Sequence, residues 1–353
     1  MNKYFLHVGL HKTGTKFFQH KIFPNLPDDK FIYNPPRLTQ LIADLMKASE
    51  EDLQVVLQAI VDEKRTLQRE TDKTVVISRE IMSGDLFRLY KDIQQTSSRL
   101  SSGFPEAEVI CFLRYQADWL VSCYRESLHE HHYQSIESFL SLKDQEEKFV
   151  RNSYKDLNLL RIIESYLSEF DASKVNFFFF EDFKNDKELV VRRISKLLGC
   201  DAIPIINDND KIPNRGYSAF AIRLSLIRYQ LCKSLGVSRW LVHRPIYFFG
   251  QDGIPAGFSE LSVLPKDKYW HEGFIKDNEE VRSKNYPNLT FYEKVKKEFS
   301  WRSFVKNRLD KFFYWDWDLL SHRRQELDEF YHRQNQELLD HFDKDQVPAI
   351  YLK

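Results

Sequence analysis

Cysteine, glycine and long apolar runs are all scarce in this sequence. Its four cysteines, Cys111, Cys123, Cys200 and Cys232, are scattered and form no CxxC pair. That argues against a structural zinc site and against a disulfide framework, and it predicts a reducing, cytoplasmic compartment. With 11 glycines in 353 residues, nothing reads as a low-complexity segment, a flexible linker or an internal repeat. No stretch approaches 18 uninterrupted apolar residues, so no spanning helix is expected. The opening residues, "MNKYFLHVGL", lead straight into a glycine loop and read as no secretory leader. Lys plus Arg and Asp plus Glu both number 52. With no net charge there is no global field drawing the chain to nucleic acid or acidic lipid, and any anion site must be local.

What is present is an alternation of buried strands and helices. Strands are expected at Tyr4 to Val8, Thr74 to Ser78, Glu108 to Leu113 and Lys174 to Phe180. Helices are expected from Thr15 to His20, as two segments within Leu38 to Glu70, and over Asp85 to Leu100, Ala117 to Glu130 and Asp156 to Glu169. A further helix over Lys187 to Leu198 has Gly199 as its cap, and a last one runs from about Arg323 to Phe342. Continuously apolar strands alternating with helices predict an α/β fold, with a parallel sheet covered on both faces. A single domain is expected over 1–353. Its parts are an α/β core at 1–206, an irregular, aromatic-rich elaboration at 207–320 and a C-terminal helix and tail at 321–353. Parallel sheets bind ligands at the carboxyl ends of their strands. Here those ends carry Gly9 to Thr15, Glu80, Arg114 and the pair Glu181-Asp182.

The first strand end holds the most informative motif, "GLHKTGT". Gly9 and Gly14 have the spacing of a phosphate-binding loop, but Lys12 precedes the second glycine where a nucleoside-triphosphate loop places its lysine after it. A strand, a glycine turn and a helix start make an anion cradle. Gly14 would let the backbone come close, Thr15 would add a hydroxyl, and Lys12 a mobile positive charge. A triphosphate site also wants an acid at a strand end for Mg²⁺. The third strand ends in Arg114 instead, while Glu80 or Asp182 could still serve that role.

Two stretches together carry a family resemblance. "HVGLHKTGTKFFQ" resembles the 5′-phosphosulfate loop of the sulfotransferases that use 3′-phosphoadenosine 5′-phosphosulfate (PAPS). "CFLRYQADWLVSCYRESL", about 100 residues on, is similar to that family's second signature, in which an Arg and a Ser eight residues later bind the 3′-phosphate; these match Arg114 and Ser122. "VVISRE" resembles the strand end that supplies a carboxylate base in bacterial and glycan-modifying branches, which implies Glu80. "FFFFEDF" is similar to the fourth strand with its acidic pair, and "RQNQELL" gives a weaker likeness at the C-terminus. The likeness covers roughly 1–230 and implies a P-loop-like fold.

The resemblance implies PAPS as co-substrate, PAP as product and no metal. It implies nucleotide contacts from His11, Lys12, Thr13, Gly14, Thr15 and Lys16, with Lys12 at the oxygen bridging phosphorus and sulfur. Lys16 stands where many members have a second Thr. "KIPNRGYSAF" occupies the place of a nucleotide-covering loop with a loose match, so Lys211, Asn214 and Arg215 are candidates. The expected acceptor is a hydroxyl or amine, with a carbohydrate first. The alternatives are a Mg²⁺-dependent nucleotide kinase or other phosphotransferase on the same fold, and a non-catalytic nucleotide-binding protein.

Other features read as structural. His129, His131 and His132 lack HExxH spacing and are expected as a helix-end or acceptor-cleft cluster, not a metal site. Gln19 is expected on a solvated helix face. The aromatic run Trp240 to Gly250 is expected to pack in the core, with contact to an acceptor or a membrane surface as the alternative. The charged run Arg282 to Lys311 is expected as a solvated face.

Overall fold

The structure is a computed structural model, and it describes residues 2–86, 89–129, 135–141, 154–200, 216–235 and 304–353. Its centre is a five-stranded parallel sheet in the order β2-β3-β1-β4-β5. The strands are β1 (Tyr4–His7), β2 (Phe31–Tyr33), β3 (Thr74–Ser78), β4 (Glu108–Leu113) and β5 (Val175–Phe179). The chain leaves β1 toward β2 on one side and leaves β4 toward β5 on the other. The crevice between the β1 and β4 ends is therefore the topological switch point, where α/β sheets take their ligands.

The strands are apolar on both sides because helices cover both faces. Tyr4, Leu6, Val75, Ile77, Val109 and Cys111 face one core layer. It is shared with α2 (Pro36–Lys47), α3 (Glu50–Glu70), α4 (Ile93–Gly103), α5 (Gln116–His129) and α7 (Leu159–Leu167). Phe5, Val76, Ile110, Phe112 and Phe178 face the other. There they meet Phe18, Phe23 and the apolar side of α9 (Lys187–Leu198). α9 is capped by Asp186, which accepts from the Leu189 N–H, and ends at Gly199 in the left-handed region, φ 75°.

Several boundaries differ from expectation. An edge strand, β2, joins the four expected ones. The helix after the glycine loop is only three α residues, α1 (Thr15–Phe17), and winds on as a π-type turn through Phe18–Ile22. The segment expected as a helix from Asp85 begins only at Ile93. Gly84, Leu89 and Tyr90 all take positive φ (92°, 52° and 55°), and the Asp92 carboxylate accepts from the Asp85 N–H, closing a loop instead.

The rest of the described chain is mostly helical: α6 (Ile136–Ser141), α8 (Phe180–Asn185), α10 (Ala219–Ser234), α11 (Asp310–Phe312) and α12 (Arg324–Asn335). α12 stops at Asn335, and a 3₁₀ turn carries the chain on through Gln336–Asp340. Residues 131, 132, 211, 214, 215 and 240–250, with the expectations made for them, lie outside the described residues, as does most of the charged run to Lys311. Among the described residues no helix is long and apolar enough to cross a membrane.

α12 docks against the start of α5 through a reciprocal amide pair. Gln116 Nε2 donates to Asn335 Oδ1 at 2.6 Å, and Asn335 Nδ2 donates to Gln116 Oε1 at 3.0 Å, both side chains being buried. Asn335→Leu removes both bonds of the pair and leaves the buried Gln116 amide only a long contact to Gln334 Oε1 at 3.4 Å, which should cost about 1–3 kcal/mol. Urea denaturation should show that loss, and a Gln116→Leu/Asn335→Leu double variant should recover part of it; additive losses in the double variant would contradict the pairing.

Candidate active site

The loop between β1 and α1 is built by hydrogen bonds to side chains. Lys12, a non-glycine residue, sits at φ 67°, and Gly14 at φ 82°. Left-handed backbone is unfavourable for a residue with a Cβ, so the surroundings must impose it. The Tyr90 hydroxyl accepts from the His11 N–H at 2.9 Å and lies 3.2 Å from its ring Nδ1. Trp119 Nε1 donates to the His11 carbonyl at 2.8 Å, and Thr13 Oγ1 to the Leu10 carbonyl at 2.6 Å. Arg114 closes the loop from the neighbouring strand end, its guanidinium donating to the Lys12 carbonyl at 2.6 Å. At Gly9 a Cβ would stand 2.3 Å from Thr15 Oγ1, so only glycine lets the loop fold onto that threonine.

These contacts sort the loop residues. His11, Thr13 and Thr15 spend their side chains on the loop itself; the Thr13 and Thr15 side chains are buried. Desolvation, with Lys12 adding to it, lowers the His11 imidazole to about 4, so it is neutral at pH 7. Lys16 is exposed. The helical run that starts at Thr15 continues as a π-type turn to Ile22, so its N-terminus adds partial positive charge to that of the cationic side chains.

Those cations meet in one cleft of about 610 Å³. Lys12 from the β1 loop, Arg114 from the β4 end and Ser122 from α5 all line it, so three residues read from two distant stretches converge on one space. Arg125 and Glu126 from α5, Lys184, Arg324 and Trp317 line it as well. None of these five was expected from the sequence. Glu126 lies one helical turn beyond Ser122 on the same face of α5. Lys12 Nζ lies 3.0 Å from Glu126 Oε2. Arg125 pairs with Asp316 at 2.7 Å, and Arg324 with Asp118 at 2.8 Å.

Arg114 stacks over the Phe180 ring, 4.7 Å from its centroid, and its buried Nε has no hydrogen-bond partner among the described residues. A buried guanidinium N–H without an acceptor, beside an open cleft, suits an incoming phosphate oxygen. Burial lowers the Arg114 pKa, and the Glu181 carboxylate opposes that shift. Glu181 is itself anchored: Tyr115 N–H donates to it at 3.0 Å and the Tyr351 hydroxyl at 2.6 Å.

Glu80 stands at the end of β3, the neighbour of β1, beside the loop but not in the lining of that cleft. Burial raises its pKa; the Lys16 and Lys12 charges pull it down, and Glu126 pushes it up. Burial outweighs the loop lysines, so the carboxyl stays above its ordinary range. Asp182, the other candidate acid, lines a different groove along β5 with Phe342. Gln19 is not solvated: its amide donates to the Ser78 carbonyl at 3.1 Å, tying the helix after the loop to the end of β3. His129 falls in the last turn of α5. Among the described residues no cluster of His, Cys, Asp and Glu is arranged to hold a metal.

The fold is a P-loop-like α/β sheet, and a cleft lined by Lys12, Arg114 and Ser122 lies at its switch point. No protein-family description matches the chain, and no curated protein matches it. Among solved structures, a sulfotransferase from Alicyclobacillus acidocaldarius is similar at 18% identity, with 70% of this chain covering 98% of that one at a TM-score of 0.42. A mouse sulfotransferase complexed with PAP is similar at 13% identity over 85% of this chain and 89% of that one, TM-score 0.31. Thymidylate kinase from Candida albicans is similar at 12% identity over 58% and 98%, TM-score 0.29. These are likenesses at low identity, and none bears on the chemistry.

The Glu80 environment has a thermodynamic consequence. Its folded pKa is raised above the ordinary 4.5, so between the two values the folded chain holds a proton that the unfolded chain has lost. The stability this adds is full below about pH 4.5 and is lost as pH rises through the folded value. Glu80→Gln removes the titration. Its Tm should fall less than that of the wild type across that window, measured by calorimetry from about pH 4.5 to about pH 8. Parallel curves for the two proteins would show that Glu80 is not desolvated.

Proposed function

We propose that this chain is a PAPS-dependent sulfotransferase. The observation that carries the reading is the convergence of Lys12, Arg114 and Ser122 on one cleft at the β1/β4 switch point. When bound, PAPS supplies a sulfuryl group on a phosphate leaving group. The residues present suit it. The unsatisfied Arg114 Nε and the Ser122 hydroxyl offer donors for the non-reacting 3′-phosphate. The Lys12 ammonium, projected by its left-handed turn, supplies positive charge for the leaving oxygen, and charge placed there favours the transition state over the ground state.

Glu80 is assigned as the base that takes the proton from the acceptor. Its raised pKa brings it nearer working pH, and its position at the end of β3, the strand paired with β1, supports the assignment. The loop contributes through His11, Thr13, Gly14, Thr15 and Lys16, the first four by shaping the turn and presenting backbone. Asn214 and Arg215 are assigned to cover the nucleotide. A hydroxyl or amine of a carbohydrate is the proposed acceptor, because a carboxylate base resembles the glycan-modifying branches. Cys111, Cys123 and Cys200 are free and buried, which suits a reducing cytoplasm.

A thermal-shift comparison tests the donor assignment. PAP in the presence of EDTA should stabilise the chain, by roughly 2.7 kcal/mol at 100 times its Kd. ATP with Mg²⁺ should do so far less. Glu80→Gln should keep the PAP shift and lose turnover. Abolition of the PAP shift by EDTA, or a much larger shift with ATP and Mg²⁺, would replace this reading with a kinase.

A further inference from the structure

Lys12 is held by a carboxylate inside the cleft. Glu126 Oε2 lies 3.0 Å from its ammonium, and the two side chains are only 25% and 27% exposed. Both line the cleft that Arg114 and Ser122 also line. Glu126 sits on the 14-residue helix α5, one turn beyond Ser122. The helix backbone fixes where its charge can go: a rotamer change moves the carboxylate by a few ångströms but does not remove it from the cleft. Glu80, beside the loop on the β3 side, is also coupled to both Lys12 and Glu126. The anchoring end is different. Arg114 there has a buried Nε without a partner among the described residues; of the acids that act on it, Glu181 is bonded by Tyr115 and Tyr351, and Asp118, which lines the cleft, is paired with Arg324.

At the anchoring end the acids are thus held by other partners, while at the other end the Glu126 carboxylate faces the Lys12 ammonium directly. A transferred group with one negative charge can share Lys12 with Glu126. A group with two brings a second negative charge up beside that carboxylate. A sulfuryl group carries the lower charge, and a terminal phosphoryl group at neutral pH carries the higher one.

We infer that Glu126 is a specificity-determining residue, which makes the Lys12 end of the cleft select a singly charged terminal group and reject a doubly charged one. The inference rests on the donor reading above and extends it. The interaction scales with local dielectric. One extra unit charge about 4 Å from the carboxylate is disfavoured roughly fivefold in bulk water and about a thousandfold at the effective dielectric of a partly buried site. Discrimination of at least about tenfold is expected from Glu126 in a site exposed to this degree.

The test compares two nucleotides that differ only in the terminal group, PAPS and 3′-phosphoadenosine 5′-diphosphate. Their dissociation constants are measured by calorimetry in EDTA, on the wild type, Glu126→Gln and Glu126→Asp. Glu126→Gln keeps the size and removes the charge, while Glu126→Asp keeps the charge; Tm values establish that all three fold. The wild type should prefer PAPS. In Glu126→Gln that preference should shrink by about tenfold or more, chiefly through tighter diphosphate binding, and Glu126→Asp should keep the wild-type ratio. An unchanged ratio in Glu126→Gln, with both nucleotides still bound, overturns the role of Glu126 and leaves the donor reading standing. If neither nucleotide binds the wild type, the donor reading itself fails and this inference falls with it.

Discussion

The site depends on one backbone constraint, the left-handed turn at Lys12. A residue with a Cβ pays about 1–3 kcal/mol to stay in that region, and other contacts must hold it there. Here they come from three different segments: Tyr90 beneath His11, Trp119 on the His11 carbonyl, and Arg114 on the Lys12 carbonyl. The last bond matters most for function. It joins the loop after β1 to the end of β4, so the two sides of the switch-point crevice are fixed to each other. The same guanidinium that holds the loop also offers an unmatched Nε beside the cleft. One side chain thus both fixes the loop and lines the cleft.

The far end of the chain supports that arrangement. Tyr115 follows Arg114 directly, and its hydroxyl donates to Asp328 at 2.6 Å and lies 3.1 Å from the His332 ring. Gln116 pairs with Asn335. Glu181, bonded to the Tyr115 N–H, is gripped by Tyr351. Helix α12 and the residues after it thus clamp the turn that carries Arg114 from behind. The C-terminal segment extends the core instead of lying on it as an appendage. Tyr331 and Tyr351 are wholly buried in the same layer as β1 and β4.

Much of this was legible in the sequence, and the exceptions have physical reasons. β1, β3, β4 and β5 show as unbroken apolar runs because both their faces are buried. β2 does not, being three residues long with only Phe31 buried. Leu86, Leu89, Tyr90 and Ile93 have helix-like spacing, yet the first three belong to a loop whose positive φ values no apolar pattern reveals. Lys12 and Arg114 could be read because each lies at or just after a strand end, and Ser122 because it stands eight residues after Arg114 in the same motif. Glu126 could not, since a lone glutamate on an amphipathic helix looks like any solvated one. Trp317 and Arg324 reach the cleft from about 200 residues beyond Arg114, a proximity only the fold creates. Gln19 looked solvated because its partner is a backbone carbonyl at another strand end.

The central claim is that this cleft recognises a nucleotide by two separate anions, one at Lys12 and one at Arg114 and Ser122. A calorimetric titration with PAP and with adenosine 5′-phosphate, which lacks only the 3′-phosphate, tests it most directly when repeated on Arg114→Ala. The account predicts that the wild type prefers PAP by about 10-fold or more, the scale of a charge-assisted contact, and that Arg114→Ala largely erases the preference. Equal affinity of the wild type for the two nucleotides would contradict it.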